Sequence, residues 1–375
     1  MESESKRRLY ALMRKERFQI FRDPSSLLIT IFLPLLLLFL YGYGVSLDLD
    51  HVRIGLVLED TSPDAQRFAQ SLTDSKYFDV TIARDRRELY KDLERGSIRG
   101  IVVVPSYFSS FRANPDLVAP IQVIADGSET NTANFVQNYV LGAFQNWLTQ
   151  EKIEGEEEGR SLIKPEPRFW YNEELESRFF LLPGSLAIIM TLIGALLTSL
   201  VVAREWERGT MEALISTKVS IFELIVGKVL PYFILGMISM AICAFVSVFY
   251  YGVPMRGSIL ALALVSAAFL FSALGTGFLI STLMKVQVIA SQITLVVAFL
   301  PAYILSGFLF EICSMPLPIR LLTYLMPARY FVQSLQTLFL VGNVWSLILI
   351  NTLIMFLFGA ALFCLIGKKT VKRLD

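Results

Sequence analysis

The chain has 375 residues, of which 54% are hydrophobic and 18% are charged. Five uncharged runs of at least 24 residues and a sixth of 38 residues exclude a soluble globular protein and predict an α-helical membrane protein with six transmembrane helices. The net charge of +1 combines an acidic segment, 48–178, which has 15 basic and 23 acidic residues, with an otherwise basic chain.

Residues 1–23 predict an amphipathic helix that lies in the cytoplasmic membrane interface. Seven Lys and Arg residues accompany an apolar stripe formed by Leu9, Leu12, Met13 and Ile20. Long basic side chains beside such a stripe are typical of an interfacial helix, and a disordered basic tail is the alternative. Asp23-Pro24 ends this helix and begins the first span, 24–47, which is too long for the apolar region of a signal peptide.

The acidic segment 48–178 predicts an inserted extracytoplasmic α/β domain. Its β-rich runs alternate with helical periods, which favours helices packed on one small sheet. The predicted strands are 52–58, 78–83, 100–105, 120–126 and 167–172, and the predicted helices are 65–72, 86–93 and 130–152. We find no phosphate-binding loop, catalytic triad or paired carboxylates in this segment, and His51 and the three cysteines do not have the spacing of metal ligands.

The distribution of Lys and Arg predicts the topology. The remaining spans are 179–203, 229–255, 257–284, 286–310 and 344–366. With six spans, sixteen basic residues lie on the side of both termini and only three lie in the short loops opposite. The positive-inside rule therefore places both termini, the loop 204–228 and the tail 367–375 in the cytoplasm. Residues 311–343, with three prolines, predict short re-entrant or interfacial helices on the outer side.

The cytoplasmic loop 204–228 is short, charged and held by a span on each side. Its periodicity predicts a helix over 204–217 that Gly209 interrupts, leaving room for another backbone to approach. The alternative is a helix that lies on the lipid surface. Such helices are rich in Lys and Arg, whereas this one mixes acidic and basic residues, so its composition favours a protein partner.

The predicted spans contain polar residues but no ionisable ones. The set comprising Thr191, Thr198, Ser199, Gln287, Gln292 and Thr294 belongs to the second and fifth spans and either joins helices or lines a substrate path. The absence of ionisable residues within spans argues against an ion-coupled carrier. We find no ATP-binding motif in the chain, so if it does uphill work, the energy comes through a partner.

Three stretches resemble ABC-2 type permeases, the membrane subunits of ATP-binding-cassette exporters, and the resemblance covers essentially the whole chain. The most specific is REWERGTMEALIST at 204–217, in which Glu205, Glu207, Gly209 and Thr210 match the core of the family's cytoplasmic coupling motif. Residues 169–184 resemble the family's entry into the second span. Residues 305–336 resemble its outer segment before the last span, and the chain is most similar to the bacterial subfamily of multidrug exporters.

The resemblance implies a permease subunit in a bacterial inner membrane that exports an amphipathic or hydrophobic small molecule. A separate ATPase subunit would use ATP-Mg, and the permease would bind no cofactor, metal or nucleic acid. A second copy or a paralogue would complete the path along the second and fifth spans, and a periplasmic adaptor is a further candidate partner. The implied coupling residues are Arg204, Glu205, Trp206, Glu207, Arg208, Gly209, Thr210, Met211, Glu212 and Leu214. The alternative function is a membrane-anchored binding or scaffold protein.

Overall fold

Among the residues that the computed structural model describes, six helices are long and apolar enough to cross a membrane, as the six uncharged runs predict. The structure describes residues 2–44, 51–75, 77–109, 121–127, 130–154, 171–172 and 176–369. The chain divides into a helical unit, 1–46 with 168–375, and a unit built on a sheet, 47–167. The six spans, numbered in chain order, are Pro24–Gly44, Ser177–Glu207, Ile221–Phe249, Ile259–Met284, Gln287–Leu305 and Trp345–Lys369.

The first span follows an N-terminal helix, Glu2–Arg22, and is not a uniform α-helix. It alternates α-helical with π-helical segments, in the order Pro24–Leu27, Leu28–Phe32, Leu33–Phe39 and Leu40–Gly44. Pro34 has no N–H to donate to the carbonyl of Thr30 four residues earlier. The hydroxyl of Ser239 in the third span donates to that carbonyl instead, at 2.7 Å. The third span thus satisfies a backbone group that lipid could not satisfy.

The second span lies at the centre of the helical unit, because small residues let its neighbours approach closely. A Cβ on Gly194 would lie 2.7 Å from the Cβ of Ala273 in the fourth span, and one on Gly277 would lie 2.0 Å from the carbonyl oxygen of Ala195. The Thr198 hydroxyl donates to the Leu274 carbonyl at 3.0 Å. Close packing and interhelical hydrogen bonds of this kind hold membrane helices together.

The segment after the fifth span returns to pack on the other spans. Its elements are a 3₁₀ turn at Ile312–Ser314, helices Leu317–Thr323 and Pro327–Gln336, and a π-helical turn at Thr337–Val341. Phe331 is buried and stacks on Phe269 of the fourth span at 4.1 Å between ring centroids. Asn351 of the sixth span donates to the Ser334 hydroxyl at 3.1 Å. This segment is therefore covered by protein in its central part and does not simply lie on a surface.

The second unit contains a four-stranded sheet with helices on both faces. Its strands are β1 (Val52–Leu58), β2 (Phe78–Ala83), β3 (Gly100–Val104) and β4 (Gln122–Ala125), and its helices are Pro63–Thr73, Arg86–Glu94 and Thr130–Glu154. The strand order is β2-β1-β3-β4, with β1 parallel to β2 and β3, and β4 antiparallel to β3. Burial on both faces explains why β1 and β3 are almost continuously apolar.

Several boundaries differ from those predicted. The second span continues past Ala203 to Glu207, the third begins at Ile221 and not at Val229, and the fifth ends at Leu305 and not at Phe310. Runs without charge mark the apolar part of a helix, but a helix continues wherever backbone bonds and caps allow. Of the predicted strand 167–172, the first four residues lie outside the described residues, and the last two are not in a strand. The tail beyond residue 369 also lies outside them.

Candidate functional site

The predicted coupling helix is two helices separated by a turn. Arg204–Glu207 are the last turn of the second span, and a short helix occupies Thr210–Ile215. Between them Gly209 has φ +67°, in the left-handed region that residues with a Cβ avoid. A Cβ on Gly209 would meet nothing within 4 Å, so backbone conformation, and not close packing within this chain, explains the glycine. The helix predicted over 204–217 is therefore interrupted at Gly209, as the sequence indicates.

The loop that follows is closed by a capping box at the start of the third span. The Glu223 backbone N–H donates to the Ser220 hydroxyl at 3.1 Å, and the Ser220 N–H donates to the Glu223 carboxylate at 2.7 Å. This reciprocal pair satisfies two helix N–H groups that would otherwise lack acceptors. The cap starts the third span eight residues before its first uncharged stretch, and so brings Glu223 and Lys228 onto that helix.

The coupling residues divide into an exposed group and a buried group. Glu207, Arg208, Gly209, Thr210 and Glu212 are exposed, whereas Met211 packs into the core of the helical unit. Trp206 and Leu214 are half-buried beside it. We call the exposed group at 207–212 the exposed turn. It presents mixed charges and little apolar surface, which suits a polar contact with another protein better than contact with lipid.

Glu205 belongs to a cluster of four charged side chains, three of them buried and the fourth, Lys15, exposed. Its carboxylate accepts from the ammonium groups of Lys15 in the N-terminal helix and Lys228 in the third span. Lys228 also lies 3.3 Å from Glu16, and Lys15 lies 3.4 Å from the same carboxylate. Glu16, Glu205 and Lys228 are each at most 2% exposed. Two carboxylates and two ammonium groups balance, and the exposed Lys15 supplies the second positive charge that the two buried carboxylates need. We call Lys15, Glu16, Glu205 and Lys228 the ionic base.

The Tyr232 hydroxyl adds a neutral donor to this base, because it lies 3.4 Å from the second Glu16 oxygen. Glu16 was not among the predicted site residues, although the sequence contains a signal for it. Glu16 stands four residues from both Leu12 and Ile20, so it lies within the apolar stripe of the N-terminal helix. An acidic residue in such a stripe indicates a buried cation opposite it. The sequence contains no signal that this cation is Lys228 in the third span.

Two further ion pairs join the N-terminal helix to the spans. Arg204 contacts Asp23 at 2.6 Å, and Arg8 contacts Glu223 at 3.1 Å. Burial alone would raise the pKa of Asp23, but hydrogen bonds from Ser26 and Arg204, with the charge of Arg204, outweigh burial and lower that pKa. Arg204, Glu205 and Glu223 are therefore occupied within the chain. Their structural role is to fix the N-terminal helix against the second and third spans.

The exposed turn also touches the connection between the fourth and fifth spans. The backbone N–H of Gln287 donates to the Glu207 carboxylate at 3.4 Å. The Lys285 ammonium group lies 4.9 Å from the centre of the Trp206 ring, within cation–π range. Movement of the exposed turn would therefore act directly on the start of the fifth span.

The polar residues predicted for a substrate path do not form one continuous row. Thr294 of the fifth span donates to the Ser199 hydroxyl at 2.8 Å, and both are fully buried. Thr198 bonds to the fourth span, and Thr191 bonds to its own helix while bordering a cavity of about 70 Å³. Gln292 is exposed, and the N–H of Gln287 faces Glu207. Most of these groups join helices within one chain.

The residues that the structure describes offer no metal centre as an alternative candidate site. Within those ranges, no group of three or more His, Cys, Asp or Glu side chains could hold a metal ion. The site thus consists of the ionic base, the exposed turn and the contact of Glu207 with the start of the fifth span.

Comparison with known proteins gives matches along the whole chain. A profile of the family described as "ABC-2 family transporter protein" matches residues 24–368. The Escherichia coli K12 protein named "Probable multidrug ABC transporter permease YbhS" is 50% identical over 369 residues, which is 98% of each chain. "Probable multidrug ABC transporter permease YbhR" of the same strain is 28% identical over 383 residues, 97% of this chain and 99% of the relative. Dictyostelium discoideum "ABC transporter G family member 20" is 21% identical over 94% of this chain but only 50% of its own length.

Proposed function

The chain belongs to the ABC-2 transporter family and is the permease subunit of an ABC exporter, and we propose that its exposed turn, 207–212, couples it to a separate ATP-binding subunit. The observation that carries this proposal is the contrast within one motif. Glu205 is neutralised inside the chain, while Glu207 and Glu212 two and seven residues later are exposed. The exposed carboxylates are the ones accessible to a partner.

The ionic base would let the exposed turn transmit force. Glu205 is on the second span, Lys228 on the third and Glu16 on the N-terminal helix, so their pairing ties three helices into one block. A push on the turn would then tilt that block as a rigid body, and the contact of Glu207 with the Gln287 N–H would carry it to the fifth span. Packed interfaces that shift between discrete arrangements transmit movement in this way.

Charge reversal on the exposed turn tests the coupling proposal. We expect Glu207→Lys and Glu212→Lys together to abolish co-purification of the ATP-binding subunit and to reduce transport at least tenfold, because charged pairs at such an interface contribute about 2–5 kcal/mol each when one partner is lost. The amount and unfolding temperature of the permease should not change, since both side chains are exposed.

The matched control is Glu88→Lys with Glu94→Lys, two identical reversals at exposed helix positions of the sheet unit. It should recruit the ATP-binding subunit normally. Normal recruitment and transport by the Glu207→Lys, Glu212→Lys variant would overturn the coupling proposal. Charge reversals are preferable to a bulky residue at Gly209, because any side chain there strains the backbone before a partner binds.

The substrate path would be completed by a second permease chain. In the most apolar part of the second span 89% of residues are buried, but in that of the fifth only 17% are. Val288, Val296 and Val297 of the fifth span are more than half exposed. We propose that this face meets a second copy or a paralogue and that the path runs between them. The relatives' names point to several drugs, so the cargo proposed is an amphipathic or hydrophobic small molecule.

We propose that both termini are cytoplasmic and that the sheet unit is outside, in a bacterial inner membrane. Single cysteines in a background without Cys243, Cys313 and Cys364 would test this. Gln70→Cys, exposed on a helix of the sheet unit, should react with an impermeant thiol reagent in intact spheroplasts. Lys218→Cys, exposed beyond the exposed turn, should react only after the membranes are broken. The opposite pattern would invert the topology and move the exposed turn away from any cytoplasmic ATP-binding subunit.

A further inference from the structure

An apolar groove separates the N-terminal helix from the third span. Its volume is about 340 Å³. Tyr10 and Phe21 form one wall and Ile234 and Ile238 the other, and each of these side chains is about half exposed or more. The groove is therefore an accessible apolar surface between an amphipathic helix and a membrane span.

Two arginines at the groove have no acidic partner among the described residues. Arg14 and Arg17 line the groove and are exposed. In the described part of the chain, no ion pair includes either of them. By contrast, Arg8 and Lys15 of the same helix are paired with Glu223 and with the ionic base. The helix thus directs some basic residues inward to carboxylates and leaves Arg14 and Arg17 beside an apolar groove.

The guanidinium groups are also held near the same aromatic ring. Arg14 lies 5.8 Å and Arg17 lies 5.9 Å from the centre of the Phe18 ring. Both contacts are within cation–π range, which favours the two guanidinium groups lying on one side of the helix. Guanidinium groups are well suited to bind phosphate, because they present several N–H donors in one plane.

We propose that this groove is a binding site for one anionic phospholipid, with an acyl chain between the N-terminal helix and the third span and the headgroup phosphate on Arg14 and Arg17. Charge complementarity supports this occupant over a zwitterionic lipid. The spacing supports an acyl chain, because residues 230, 234 and 238 form a row about 12 Å long on the third span. Basic residues next to a membrane helix attract anionic lipids.

A lipid bound in this groove would stabilise the ionic base, because it would contact the same two helices. Lys15 and Glu16, which contact Glu205 and Lys228, lie on the helix between Arg14 and Arg17. A lipid that bridges the helix and the third span would oppose their separation. Lipid binding at this groove requires a membrane-spanning chain but does not depend on coupling to an ATP-binding subunit. A failed lipid test would therefore leave the coupling proposal unaffected.

Lipid retention by the purified permease tests the proposal. Native mass spectrometry in detergent, with phosphatidylglycerol and phosphatidylcholine titrated separately, should show preferential retention of phosphatidylglycerol. Each arginine near a headgroup favours anionic lipid by about fivefold. Arg14→Gln with Arg17→Gln should therefore reduce the preference roughly 25-fold. The unfolding temperature in phosphatidylglycerol should exceed that in phosphatidylcholine for the unaltered chain, and this difference should disappear in the Arg14→Gln, Arg17→Gln variant.

Two further variants define the site. Ile234→Trp should fill the groove and lower retention of phosphatidylglycerol while leaving both arginines in place. Arg7→Gln with Arg22→Gln, which removes two exposed arginines of the same helix that do not line the groove, should leave the preference unchanged.

Specific outcomes would overturn the proposal. Equal retention of the two lipids by the unaltered chain would show that the groove does not select for charge. Equal loss in both double arginine variants would show general attraction to a basic helix and no site. Displacement of phosphatidylglycerol by inorganic phosphate alone would assign the arginines to a free anion, and loss of a permease dimer on Ile234→Trp without loss of lipid would assign the groove to a second copy.

Discussion

The ionic base and the exposed turn contain the same residue types in opposite environments. Glu205 is 2% exposed and contacts two ammonium groups, whereas Glu207, two residues later, is exposed and accepts a long hydrogen bond from a backbone N–H. The helix axis separates them, because residues two apart point to different sides. One motif therefore provides both an anchor within the chain and a surface for a partner.

The difference shows which charges the fold depends on. Removing a buried charge leaves its partner uncompensated in a poorly solvated place, while an exposed charge remains hydrated with or without a partner. We therefore expect variants of the ionic base to change stability first, and variants of the exposed turn to change recruitment without changing stability.

The largest effect is expected from Lys228→Met. It leaves Glu16 and Glu205 with Lys15 as their remaining ammonium group, and losing one member of a buried charge pair costs about 3–5 kcal/mol. We expect a large drop in the unfolding temperature in detergent and in the amount of inserted protein. Glu205→Gln with Lys228→Met removes one charge of each sign and should recover much of the loss. Equal and small changes in the unfolding temperature for Lys228→Met and Glu207→Gln would contradict the distinction between the ionic base and the exposed turn.

A smaller effect is expected from Gly209→Ala, which tests the turn itself. A residue with a Cβ at φ +67° costs about 1–2 kcal/mol, although no atom lies within 4 Å to clash with it. Gly209→Asn should cost less, because Asn tolerates this conformation. The control, Gly367→Ala, is in the sixth span with open space around it and should be neutral or slightly stabilising. Thermal unfolding of the three variants in one detergent gives the comparison, and equal behaviour of Gly209→Ala and Gly367→Ala would contradict it.

The smallest effect concerns the Asp23–Arg204 pair at the edge of the ionic base. The pKa of Asp23 is lower in the folded chain than in the unfolded one, so its contribution to stability is complete above about pH 4 and is lost as the pH falls through the lowered value. At pH 7 we expect Asp23→Asn to be about 1 kcal/mol less stable than the unaltered chain. Unfolding measured from pH 7 to pH 3 should show this difference shrinking. A difference that stays constant over that range would show that ionisation of Asp23 does not stabilise the fold.

The sequence alone predicts six spans, a sheet unit between the first two spans and a charged connection after the second. Continuous apolar runs of this length are sufficient to predict the spans, because a helix that crosses a bilayer must have a certain length and an apolar composition. The strands at 52–58 and 78–83 are equally visible, since β-branched and aromatic residues bounded by polar turn residues are typical of short strands. The family could also be predicted, because residues 204–217 form one continuous motif.

Local patterns of residues are enough to locate the spans approximately and to show that the loop 204–228 is charged. How those charges are used depends on the packing of the helices. Glu205 and Glu207 look equivalent in sequence, and Lys228 looks like the end of a loop. Glu205 pairs with Lys15, 190 residues away along the chain, and Lys228 pairs with Glu16, 212 residues away. Charge pairing over such distances is set by how helices pack, and local sequence patterns contain no record of it.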